Sequence, residues 1–152
     1  MKAHGKPWVR GEGRTMYDNP WIRVTEHDSV APTGRPALYG VVSFKNRAVA
    51  ILPLHDDGTV VLVGQHRLPH GDYSWEVPEG GGPLDEAPLE AAKRELAEET
   101  GLATARVPFR EALEAATAGN LSDILTVAMP LRAYHMAREG SLPPAVARAM
   151  LG

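Results

Sequence analysis

Residues 79–102, EGGGPLDEAPLEAAKRELAEETGL, constrain this chain more than any other stretch. Three glycines lead into a helix-period segment that should begin at Asp85 or Glu86, tolerate Pro88 in its first turn and close at Gly101. Glu95, Glu98 and Glu99 crowd into five positions, and at about 100° per residue they share one arc beside an expected buried face of Leu89, Ala92 and Leu96. Like charges three or four apart on a helix repel and cost stability. Two readings follow: a solvated charged face, as most charge runs are, or a set of oxygen donors for a hard divalent cation such as Mg2+. Arg94, four residues before Glu98, is placed to orient that carboxylate.

The remaining chain sets the frame. Its 152 residues suit one domain, and 43% hydrophobic with 23% charged residues is an ordinary globular balance. The net charge of −3 offers no general basic field for nucleic acid, and the absence of cysteine excludes disulfide and thiolate chemistry. The longest apolar runs, such as AVAILPL at 48–54, are too short to span a bilayer. The first residues lack the apolar core of a signal peptide, so a cytoplasmic protein is expected.

Strand patterns occupy 21–30, 37–44, 48–54, 59–68 and 73–78, with HDDG at 55–58 as a hairpin turn between the third and fourth. After the glutamate helix, helices are expected over 108–119, ended by Gly119, over 122–139 with Ser122 as N-cap, and over 143–151. Pro130 should kink or end the third of these four helices. Strands followed by helices argue for an α/β or α+β layered fold.

The spacing of the glutamate segment carries more information than its charge. Gly80, five residues, Glu86, seven residues, Arg94-Glu95-Leu96, one residue, Glu98-Glu99, one residue and Gly101-Leu102 resemble the Nudix hydrolase box at every fixed position. The resemblance implies a single Nudix domain over 1–152: an α/β/α sandwich with a mixed sheet, an N-terminal antiparallel sheet within 1–46, the box at 80–102 and C-terminal helices over 108–151. It also implies Glu95, Glu98 and Glu99 as ligands of Mg2+ (or Mn2+), with the glycine loop carrying a carbonyl of Glu79 toward the metal. Glu86 and Arg94 would support them. NPWIRV, LVGQHRLP, YSWEVPEGG and the helical region 109–136 look like the ADP-ribose pyrophosphatase branch. That likeness implies Arg67 as a phosphate contact and a homodimer paired through the N-terminal strands. Trp21 and Trp75 are candidates to stack on adenine, or are packing anchors. Glu76 and Glu79 flank the site as extra ligands, supporting groups or plain surface. His66 and His70 have no ligand spacing.

One departure from that branch matters. ATARVPFREAL runs straight from the glutamate helix to the next helix, where related enzymes insert a long segment with further strands and often another catalytic glutamate. The sheet is therefore expected to lose strands, and water activation must come from elsewhere. Two functions stay open: a pyrophosphatase for ADP-ribose, another nucleotide sugar or a dinucleotide, and a nucleotide-binding or dimerisation module that has lost turnover.

Overall fold

The computed structural model describes residues 5–69, 71–99 and 103–152, so the expected caps at Gly101 and the neighbouring Leu102, and His70, lie outside the described residues. The chain divides into two compact units, one ending at Arg47 and the other starting at Ala48.

The first unit is a three-stranded antiparallel sheet of β1 (Val9–Asp18), β2 (Ile22–Val30) and β3 (Pro36–Phe44) in that order. The second and third strands fall where alternation places them. β1 is additional: Gly11, Gly13 and alternating charges disguise it in the sequence. Its pairing is held from outside by Arg14 on Glu26 and by Arg10, whose Nη2 lies 2.8 Å from His27 Nε2. A side chain at Gly13 would collide with the His27 ring, so the glycines that weaken the strand pattern also permit the pairing.

β4 (Asn46–Ala50) spans the boundary, and the second unit continues with β5 (Thr59–Arg67), β6 (Asp72–Glu76), β7 (Glu79–Pro83), α1 (Pro88–Glu99), β8 (Ala103–Pro108), α2 (Phe109–Ala118), α3 (Ile124–Arg138) and α4 (Pro144–Leu151). The class is the expected α+β. The single mixed sheet is replaced, among the described residues, by two further small sheets, β4-β7 and β6-β5-β8, with antiparallel ladders on both sides of β5. The turn before Gly58 forms as expected, but among the described residues its arms meet through the Leu54–Val60 bridge and the bonds from His55 N–H to the Thr59 carbonyl and from Val61 N–H to the Pro53 carbonyl, not a long ladder. Pro53 has no N–H to extend that ladder, and β4 pairs with β7 instead.

Residues 103–108, read as a bare connector, form β8 and pair with β5 from Thr59–Pro108 to Gly64–Ala103. Val60 and Phe109, Ala112, Ala137 and Met150 then make one buried cluster under α2, α3 and α4. Gly119 closes α2 in the left-handed conformation at φ 77°, as expected. The N-cap of α3 is Asp123 rather than Ser122, and α3 runs through Pro130 to Arg138 without ending there.

Candidate active site

The buried face of α1 is not the expected leucine stripe. Leu89 is 65% exposed, while Ala91 and Glu95 are buried against the glycine strand β7. The cause is close packing: a Cβ at Gly82 would press on Ala91, and one at Gly80 would occupy the place of the Glu95 carboxylate. Gly80 therefore admits a charged side chain on the helix face where an apolar stripe was expected.

Arg94 organises the carboxylates around that contact. Its Nη1 donates to Glu95 Oε1 at 2.7 Å and to Glu98 Oε2 at 3.3 Å; its Nη2 donates to Glu86 Oε2 at 3.2 Å and to the Gly81 carbonyl at 3.1 Å. Its hydrogen bonds to Glu86, and then to Glu95, hold the guanidinium well above its ordinary pKa. Glu99 turns the other way and accepts the Glu79 backbone N–H at 3.0 Å. Burial raises its carboxyl despite that bond, and the Glu95 charge adds to the rise.

Arg67 stands at the end of β5 and donates from Nε to Glu76 Oε2 at 2.6 Å, with Nη2 reaching both Glu76 and Glu79. Glu76 is only 2% exposed, so this guanidinium balances a buried charge. With Pro69, Ser122, Asp123 and Ile124 these three line a cleft of about 360 Å3. Burial pushes the Glu79 carboxyl up to about 7, and the nearby Asp123 carboxylate reinforces the shift. Glu79 Oε2 is buried without a hydrogen-bond partner.

Most sequence-derived candidates thus meet: Arg94 with Glu86, Glu95 and Glu98; Arg67 with Glu76 and Glu79; Glu79 with Glu99. Trp75 does not join them. Consecutive strand residues point to opposite faces, so it lies across β6 from Glu76, edge-on to Tyr73 at 5.6 Å. Trp21 is a 66% exposed residue of the N-terminal unit. Asp123 and Thr126 were missed. Their signal was an N-cap residue three before a threonine in SDILT, a pattern that Ser122 appeared to satisfy first.

An excess of carboxylates, one of them with a buried unpartnered oxygen, fits a hard divalent cation in donor chemistry. Among the described residues no three of them converge into a ready-made cage, because Arg67 and Arg94 hold several of the oxygens.

A glycine strand lies against the acidic helix, Arg94 gathers carboxylates around it, and Arg67 holds Glu76 and Glu79. The family follows from comparison with known proteins: a NUDIX domain model matches residues 44–132, more than half of the sequence, and the chain belongs to the Nudix family. The ADP-sugar pyrophosphatase of Mus musculus is 34% identical over 108 residues, covering 64% of this chain and 49% of that protein. The RNA pyrophosphohydrolase of Halorhodospira halophila is 42% identical over 59 residues, 39% of this chain and 30% of its own. The match therefore spans half or less of these relatives. A crystal structure of an ADP compounds hydrolase superposes with a TM-score of 0.72 over 93% of this chain and 100% of that one, at 16% identity, a likeness of fold. Nudix hydrolases act on phosphoric anhydrides and in general use divalent metals. No helix among the described residues is long and apolar enough to cross a membrane.

Proposed function

We propose that the protein is a divalent-cation-dependent hydrolase of a nucleoside diphosphate linked to a second group, with ADP-ribose, cleaved to AMP and ribose 5-phosphate, as the substrate. The observation that carries this reading is the Arg94 hub, which gathers Glu86, Glu95, Glu98 and the Gly81 carbonyl beside β7. Glu95, Glu98, Glu99 and the carbonyl or carboxylate of Glu79 would hold the cation, Mg2+ or Mn2+. Once bound, such an ion neutralises charge on phosphate oxygens and makes water a better nucleophile. The chain's own residues do the rest. Arg94 fixes two carboxylates in one orientation, and the absence of a side chain at Gly80 leaves room for Glu95. Arg67, a planar fork suited to a diphosphate, is anchored by Glu76 at the mouth of the cleft. Water adds to one phosphorus, the anhydride P–O bond breaks, and the water's protons pass to solvent or to the leaving phosphate.

The mouse relative's name supports a nucleotide sugar as substrate, and the bacterial relatives' name supports an RNA pyrophosphate as the competitor. A homodimer through the N-terminal sheet is part of this proposal. Trp21, Leu38, Val42 and Phe44 are each at least half exposed on it, more apolar surface than a free sheet ordinarily leaves to water.

A second reading, a nucleotide-binding module without turnover, draws on Arg67 being held by two carboxylates rather than standing free. AMP release from ADP-ribose with Mg2+ separates the two, measured beside Glu98→Gln and Glu99→Gln. The enzyme reading expects turnover that falls at least about a hundredfold in both variants, the range for losing a metal-site group. A folded parent that turns over neither ADP-ribose, other nucleotide sugars, dinucleotides nor an RNA pyrophosphate leaves the binding reading standing.

A further inference from the structure

The cleft beside Arg67 includes a charge that the family box does not contain. Asp123 enters it from the connection between α2 and α3, which lies 44 positions after Glu79 in the chain. The geometry gives this residue two separable tasks. Its Oδ2 accepts the Thr126 N–H at 2.6 Å and so caps α3. Thr126 is fully buried and its Oγ1 accepts the Val77 N–H at 3.0 Å, which ties the capped helix end to the segment carrying Glu76 and Glu79. The carboxylate is thereby fixed on the cleft wall that Glu76 and Glu79 also line.

The cap alone requires no charge, since an amide oxygen caps as well as a carboxylate. The charge has a cost: three carboxylates, Glu76, Glu79 and Asp123, face one guanidinium in the cleft lining. When all are ionised the lining is net −2, and a bare diphosphate entering it meets like charge on both flanks of Arg67. A diphosphate whose charge is masked by a divalent cation meets attraction instead.

We propose that Asp123 is a specificity-determining residue of this site, the carboxylate that makes the cleft take a nucleoside diphosphate in its cation-complexed form and reject the cation-free form. The inference rests on the hydrolase reading for the identity of the ligand, and on the cleft's own charge for the selectivity.

Asp123→Asn removes the charge and keeps the cap; Asp123→Ala removes both. Binding of ADP is measured by calorimetry in EDTA and in Mg2+, Mn2+ binding by electron paramagnetic resonance, and melting temperature for each protein. The expected result is an Asp123→Asn protein that melts as the parent does, binds ADP in EDTA roughly tenfold more tightly, the effect of about 1.4 kcal/mol, and binds Mn2+ more weakly. Asp123→Ala should show the same binding changes with a lower melting temperature. Unchanged preference in Asp123→Asn, with only Asp123→Ala altered, reduces the residue to a helix cap and overturns the inference. So does a parent that binds neither ADP nor Mn2+. Turnover of ADP-ribose with unchanged preference in Asp123→Asn sinks this inference alone. Altered preference in a protein that hydrolyses no nucleotide sinks the hydrolase reading alone.

Discussion

Arg67 and Arg94 are each a single guanidinium among several carboxylates, and they serve different ends. Arg67 meets Glu76, which is 2% exposed, so without it a buried charge has no counter-ion. Arg94 meets Glu98, which is 60% exposed, and shares Glu86 and Glu95 with solvent-facing backbone at Gly81. One arginine makes charge in the interior tolerable; the other ties a buried carboxylate, Glu95, to the solvent-facing Glu98. A guanidinium that holds an exposed carboxylate in a fixed fork points to function more directly than one committed to buried charge.

The largest effect that tests this contrast is on stability. Arg67→Ala should lower unfolding free energy by about 3 kcal/mol, the scale for stranding a buried partner, as read by urea denaturation. Arg94→Ala strands Glu95 but leaves Glu98 to water, so it should cost less stability than Arg67→Ala while lowering ADP-ribose turnover by about ten- to a hundredfold. Equal destabilisation by the two changes would break the comparison.

A smaller effect sharpens it. Thr126→Val keeps the shape of a buried residue and strands the Val77 N–H that Thr126 now accepts. A loss of about 2 kcal/mol is expected, with Thr126→Ser recovering most of it. Indifference to the hydroxyl would mean that α3 is not tied to the acidic segment in this way.

The smallest effect is a slope with pH. Burial raises the Glu79 carboxyl from 4.5 to about 7 and also raises Glu99. Between those values the folded protein holds a proton that the unfolded chain has released, so stability is full below about 4.5 and declines as pH rises through about 7. Melting temperature in EDTA should therefore climb from pH 8 toward pH 5, against the acid loss shown by ordinary ion-paired carboxylates. Glu79→Gln should flatten the climb; an unchanged slope in that variant would assign it elsewhere.

Much of the site could be read from residue order because its parts are local. Glu95 and Glu98 lie within about a turn of Arg94 on α1, so helical periodicity brings them together, while Glu86 and the glycines adjoin through the short link from β7. The same holds for α2 and its glycine stop, which answer to backbone preferences over ten residues. Periodicity failed where packing partners decide orientation. Leu89 belongs to the apolar stripe by spacing, yet the side-chain-free surface of β7 draws Ala91 and Glu95 inward instead. β1 and β8 failed for a related reason: neither has a strong alternating pattern of its own, and each exists because a neighbouring strand offers a ladder.

By itself the sequence determined the α+β class, the family box with its carboxylate helix, and the position of Arg67, because local spacing and propensity are properties of adjacent residues. Only the tertiary structure decided that Arg67 is held by two carboxylates and that Asp123 lines one cleft with Glu79. Those are contacts between elements, set by which strand pairs with which and by where α3 is anchored, and no spacing within one segment encodes them.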